Sequence, residues 1–247
     1  MGGRLRIVLT TLCALLGAMA QEACEDNPLP ATAPCTANHD IVVTFDRSFK
    51  ATADVTASNM LLNEIVNAYD LNPSASNFGP RIGLLSFGEE ATIEANLTSD
   101  ANLLRSTISS ARDYTQQTCT TCGVEAAWRH LGEHARQSAR KVIILIVDGV
   151  DTLRTDIAAI DEAMAAKADG VRIIAVAISS SADRPSVSQM ATQPQSAFFF
   201  THTTYAEAAA SVVSAWLPNI CEEVQYVCRA SSDIHCNGRV DAVVHGR

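Results

Sequence analysis

Asp46 ends a short apolar run, Ile41-Val42-Val43-Thr44-Phe45, and Ser48 follows two residues later, so a carboxylate and a hydroxyl share one loop. A second run, Val142-Ile143-Ile144-Leu145-Ile146-Val147, stops in the same way on Asp148-Gly149. The carboxyl ends of sheet strands are where α/β proteins usually hold ligands, and two such aspartates there frame a hard divalent cation bound by oxygens. Lys50 stands where a third oxygen ligand would be expected. An ammonium has donors and no acceptor, so it cannot ligate a cation. Its charge a few ångströms from a metal would also cost roughly 4 kcal/mol at an effective dielectric of about 20. Two states follow: a cation held by Asp46, Ser48 and Asp148, or a metal-free site in which Lys50 neutralises both carboxylates. A plainer reading stands beside them, in which Asp46 caps the following segment and Asp148 opens a turn with Gly149.

Other residues offer sharper chemistry and less support for it. Cys119-x-x-Cys122 at a helix start has the spacing of a redox pair, since a helix N-terminus stabilises a thiolate. No aromatic-bearing strand feeds it and no second Cys-x-x-Cys completes a zinc site, so a structural disulfide is expected. His130 and His134 are four apart on an expected helix, without the His-Glu-x-x-His pattern, and read as a solvated face. No Gly-x-Ser-x-Gly elbow supports a Ser-His-Asp hydrolase. Asp46, Lys50 and Asp148 are residue types that suit metal-assisted phosphoryl transfer, yet a glycine-rich phosphate cradle is missing.

The chain's beginning implies export. Arg4 and Arg6, an apolar centre from Ile7 to Leu16, and Ala18-Met19-Ala20 form a secretory signal pattern over 1–20, with Gln21 the expected first mature residue. The apolar stretch is shorter than a bilayer-spanning helix needs, and no later apolar segment reaches that spanning length without charges. Without Arg4 and Arg6 there remain 16 basic and 27 acidic side chains, an excess that repels nucleic acid and anionic lipid. Seven cysteines remain, Cys24, Cys35, Cys119, Cys122, Cys221, Cys228 and Cys236, and in an oxidising compartment they are expected to pair. The odd number leaves one free or bound to another chain; Cys24–Cys228 would leave Cys236 for an intermolecular bond. Asn96-Leu97-Thr98 is a glycosylation sequon, whereas Pro73 disqualifies Asn72-Pro73-Ser74.

These residues need elements to carry them. Residues 21–38, with Pro28, Pro30 and Pro34, read as a linker. Strands are expected over about 40–46, 81–87, 91–97, 141–147, 171–178 and 197–201. Helices are expected over about 53–70, 100–112, 123–137, 154–168, 184–192 and 205–217. The first helix places Leu61, Ile65 and Tyr69 on one face. Only Gly88-Glu89-Glu90 separates the second and third strands, which makes a hairpin with the third as an antiparallel edge. The alternation that follows implies parallel crossovers, hence a doubly wound, mostly parallel six-stranded α/β sheet. The tail over 224–247 shows no clear period.

In element order, residues 39–223 resemble a von Willebrand factor type A domain. Asp46-Arg47-Ser48 resembles the start of that family's Asp-x-Ser-x-Ser loop, and Gly79 to Phe87 its second strand. Lys141 to Gly149 and Gly170 to Ile178 are similar to its fourth and fifth strands. The resemblance implies a metal-ion-dependent adhesion site for Mg²⁺, here degenerate, with Asp46, Ser48 and Asp148 as ligands. The family's threonine ligand falls in Cys119-Thr120-Thr121-Cys122-Gly123, where Thr120 fits best and Thr121 next. Cys35 and Cys221 sit where extracellular members carry a closing disulfide. The implied role is secreted protein binding, in adhesion or extracellular matrix, with a partner's Asp or Glu completing the cation shell. The competing functions are the phosphoryl-transfer enzyme and a metal-free structural subunit linked by disulfides.

Overall fold

The computed structural model describes residues 24–26, 34–48, 52–72, 78–110, 117–154, 156–221 and 226–228. The signal-like segment and Lys50 lie outside them. The compact unit Ala31–Cys221 is built on one sheet, and the flanking segments form a second unit. In that second unit β1 (Cys24–Asp26) pairs antiparallel with β8 (Tyr226–Cys228), which sets Cys24 opposite Cys228.

The large sheet is laid out from its centre. Strand β2 (His39–Asp46) is buried along its whole length, because it lies between β3 (Arg81–Phe87) and β5 (Arg140–Val147), parallel to both. Such a strand reads as a near-continuous apolar run, and Ile41 to Phe45 does so, broken only by Thr44. Strand β6 (Arg172–Ile178) continues the parallel order beside β5, and β7 (Phe199–His202) closes that side. On the other side β4 (Ala91–Thr98) pairs antiparallel with β3, giving the order β4-β3-β2-β5-β6-β7. This is the expected mostly parallel sheet with one antiparallel edge.

Helices cover the sheet with faces suited to close approach. Helix α1 (Thr52–Asn67) buries Leu61, Leu62, Ile65 and Val66. Helix α2 (Ala101–Ser110) inserts Leu104 and Ile108. Helix α3 (Thr120–His134) buries Val124, Ala127 and Leu131 and lies flush on the sheet at Gly123. A Cβ on Gly123 would meet the Phe87 ring at 2.5 Å. Helix α4 (Asp156–Ala168) buries Ala159, Ala163 and Ala166 fully and packs Ile160 partly against the core, so its small inward side chains let it approach closely.

Four sequence expectations are corrected. Helix α3 starts at Thr120 rather than 123, because the Cys119 sulfur accepts the Cys122 N–H and caps it. The segment Gln195–Phe198 is a helical turn (α6), after the short helix α5 (Arg184–Met190), and β7 starts only at Phe199. The last helix is broken into α7 (Tyr205–Ser211), a π-helical turn Val212–Trp216 and α8 (Leu217–Cys221). His130 is 3% exposed and not solvated, its ring 4.6 Å from that of His134.

Candidate functional site

Strand β2 delivers Asp46, fully buried, to the carboxyl end of the sheet. Its Oδ1 accepts the Ser48 N–H at 2.8 Å, which bends the chain out of the strand. Arg47 points away from the site. Its N–H donates to the Phe87 carbonyl at 2.7 Å, and its guanidinium pairs with Glu94 at 2.7 Å. Glu94 also accepts the Ser86 hydroxyl at 2.6 Å and sits at a register shift of β4. An extra residue in an edge strand re-aims a side chain, and here the result braces the loop behind Ser48.

On the free side of the loop, Ser48 Oγ accepts the Thr118 hydroxyl at 2.7 Å. Thr118 is tightly placed. Its N–H donates to Thr152 Oγ1 at 2.8 Å, its carbonyl accepts the Thr152 N–H at 2.9 Å, and the next residue's N–H reaches the Gly88 carbonyl at 2.8 Å. Asp148 follows β5, with its carbonyl accepting the Ser179 hydroxyl at 3.0 Å and its Oδ2 the Tyr205 hydroxyl at 2.8 Å. Burial and the nearby carboxylates hold the Tyr205 phenol protonated and therefore a donor. Ser179 has φ 71°, a left-handed conformation rare for a residue with a Cβ, at the tip of β6 beside the site.

Gly149 marks where these groups converge. A Cβ there would lie 3.8 Å from Thr118 Oγ1 and 4.0 Å from Asp46 Oδ2. That Oδ2 is buried and receives no hydrogen bond from an N–H or hydroxyl; the Asp46 carboxyl meets that of Asp148, and the two hydrogen-bond when one is protonated. Burial, then the Asp148 charge, pushes the Asp46 carboxyl up to about 8, so without a cation the pair keeps a proton at neutral pH, which a cation between them would displace. A cleft of about 570 Å³ opens beside it, lined by Ser48, Thr118, Asp148, Gly149 and Tyr205 among others.

The donor set is oxygen only: two carboxylates and two hydroxyls. That suits a hard cation such as Mg²⁺ or Mn²⁺, which keeps open positions when few protein ligands hold it. Among the described residues no three His, Cys, Asp or Glu side chains come together, so a closed cage of those residues is not formed. Asp46 Oδ2 is the atom such a cation would satisfy.

Of the residues singled out in the sequence, Ser48 and Asp148 line the cleft, Asp46 lies buried behind it with Oδ2 near Gly149, and Thr120 does not line it. Thr120 is 1% exposed, with its hydroxyl buried and unpartnered. Thr121 instead donates through its N–H and hydroxyl to Asp151 Oδ2, both at 3.2 Å. Thr118 was missed; the contact that places it is with Ser48, 70 residues away, and leaves no local mark. Tyr205 was missed for the same reason. Cys119 and Cys122 form a disulfide beside Thr118, with Cα atoms 5.2 Å apart. Cys35 and Cys221 form the other, with Cα atoms 5.8 Å apart. Asn96 is exposed on β4.

Among known families, the von Willebrand factor type A domain matches residues 40–214. No individual curated protein matches the chain in sequence. Proximal thread matrix protein 1 from the mussel byssus shares the fold with TM-score 0.67 and 19% identity over 76% of this chain and 49% of that one. The chain thus spans about half the length of that relative. The same mussel protein, in a form described as having a zinc-occupied MIDAS motif, superposes with TM-score 0.65 and 20% identity over 76% and 47% of the two chains. The pilus adhesin SpaC of Lactobacillus rhamnosus GG gives TM-score 0.62 and 15% identity over 81% and 33%. The manganese-loaded TRAP protein of Plasmodium vivax gives TM-score 0.56 and 20% identity over 72% and 73%. At these identities the likeness concerns the fold.

Proposed function

This chain belongs to the von Willebrand factor type A domain family, and on that premise we propose that it is an exported protein-binding module of the adhesion or matrix kind. Domains of this family are usually binding modules without catalysis. The binding face consists of the loops after β2 and β5 with the loop before α3. Asp46, Ser48, Thr118 and Asp148 would hold a divalent cation there, and a partner's Asp or Glu would complete its shell. The observation that carries this reading is the buried Asp46 Oδ2, which no N–H or hydroxyl satisfies, beside Asp148, a second carboxylate that lines an open cleft.

The residues divide the work. Asp46 would supply a carboxylate once the cation displaces its proton, and its Oδ1 is already committed to the Ser48 N–H, so Oδ2 is left for the site. Ser48 and Thr118 supply hydroxyl oxygens whose mutual hydrogen bond sets their spacing. Tyr205 fixes the orientation of Asp148. A bound cation would contribute a Lewis-acidic centre for the partner's carboxylate. The adhesin and byssus relatives support an adhesive or matrix role. The two disulfides support export, because such bonds persist in oxidising compartments.

Calorimetric titration of the protein with Mg²⁺ and Mn²⁺, beside Lys50→Ser and Asp46→Asn variants, tests the reading. Saturable binding to the natural protein, lost in Asp46→Asn, is the expected result. Binding only to Lys50→Ser would show that the ammonium occupies the cation's place and that recognition rests on shape and hydrogen bonding. No binding to either would remove the cation from the mechanism.

A further inference from the structure

We propose that Asn96 carries an N-linked glycan and that this glycan guards the free edge of the sheet at β4. The proposal shares the premise of export with the functional reading and is independent of the cation site. Strand β4 ends the sheet on its side: β3 pairs with one flank, and among the described residues no strand pairs with the other. An uncovered edge presents a row of N–H and C=O groups to any passing strand, and proteins usually blunt it with Lys, Pro, a charge or shortness.

Beyond the register shift at Glu94, which disturbs the ladder locally, strand β4 has few such devices. It is eight residues long, Ala91 to Thr98, and contains no Lys, Arg or Pro. Its one charge, Glu94, is drawn back to Ser86 and Arg47. The exposed positions are Thr92, Ile93 and Asn96, with Ile93 50% exposed, all uncharged and two of them strand-favouring. The opposite edge, β7, is only four residues long, which limits what can pair there. Of the outward side chains on β4, Asn96 alone can be enlarged by modification within its sequon, completed by Thr98.

The chemistry is ordinary for an export compartment. Asn96 Nδ2 forms a bond to the anomeric carbon of an oligosaccharide carried on a lipid diphosphate. The carbon–oxygen bond to the diphosphate breaks, the lipid diphosphate leaves with that electron pair, and one amide proton passes to a base. The bulky, hydrated product then stands where an added strand would run.

The test expresses the full chain in a secreting eukaryotic cell line as the natural protein, Asn96→Gln, Thr98→Ala, and Asn96→Gln combined with Ile93→Lys. Free thiols are capped, and each product is weighed before and after N-glycosidase and sized by light scattering. The expected result is a mass loss on digestion for the natural protein alone. Asn96→Gln and Thr98→Ala should form larger species, and Ile93→Lys should return the size to that of the natural protein. No mass loss in the natural protein overturns the site. Sequon variants that stay at the natural size overturn the guarding role. Association that survives Ile93→Lys places it away from β4 and also overturns it.

Discussion

The hydroxyl of Thr118 donates to Ser48 Oγ at 2.7 Å, joining two loops 70 residues apart in the chain. Through this contact the loop before α3 meets the loop after β2. It therefore sets the spacing of two of the four oxygens offered to a cation.

Replacing Thr118 with Ala should cost about 1 kcal/mol of stability, the usual worth of one hydrogen bond, and lower Mn²⁺ affinity about tenfold or more. Thr120→Val removes an unpartnered buried hydroxyl at nearly constant shape. It should leave cation affinity unchanged and stability equal or higher. Urea denaturation and calorimetry on the two variants decide between the threonines. The opposite pattern would restore Thr120 as the ligand that the family resemblance implies.

Gly123→Ala should destabilise by about 1–3 kcal/mol, because the new Cβ would fall 2.5 Å from the fully buried Phe87 ring. A shift of α3 away from that ring would carry Thr118 with it, so cation affinity should fall alongside the melting temperature. Pairing the change with Phe87→Leu should recover part of both losses, and a double-mutant cycle measures the coupling.

At the opposite end of β2, Asp40 is fully buried between two guanidiniums, with Arg81 Nη2 and Arg136 Nη2 each 2.7 Å away. Burial alone would raise its pKa, but the hydrogen bonds from Arg81 and Arg136 outweigh it and hold the carboxyl below 3.8. A carboxyl depressed in the folded state stabilises above its unfolded pKa, and that contribution is lost as pH falls through the folded value. Asp40→Asn should therefore cost about 3 kcal/mol at neutral pH. The gap from the natural protein should narrow below pH 3.8, as urea midpoints across pH will show.

His39 predicts a second acid sensitivity that sets in at higher pH. Burial, then the charges of Arg140 and Arg172, lowers its pKa from 6.5 to about 4, and neither ring nitrogen has a partner. The unfolded chain binds a proton there between those two values and the folded chain does not. Stability is thus fully present above pH 6.5 and falls as pH drops towards 4. The loss approaches about 3 kcal/mol. His39→Phe should flatten that part of the profile.

The sheet was largely legible because its strands are apolar runs with no competing helical period. The expected 40–46, 81–87, 141–147 and 171–178 lie within a residue of the observed strands at each end. The start of α3 was not legible, because a cysteine sulfur caps it where local rules look for Ser, Thr, Asp or Asn. The two aspartates could be found because each ends a strand. Thr118 and Tyr205 could not, since their partners Ser48 and Asp148 become neighbours only once the chain has folded. His130 misled in the other direction: its spacing suits a polar helix face, and only packing shows it buried.

The disulfide between Cys35 and Cys221 spans 186 residues of sequence with Cα atoms only 5.8 Å apart. A tensile load applied to the chain on either side of this unit would pass from one cysteine to the other through a covalent link. The sheet and its helices would lie off the force path, like a bead fastened to a cord by its clasp. The cleft at the far end of β2 could then stay in working shape while the tether is stretched, a property suited to a component that must hold on under strain.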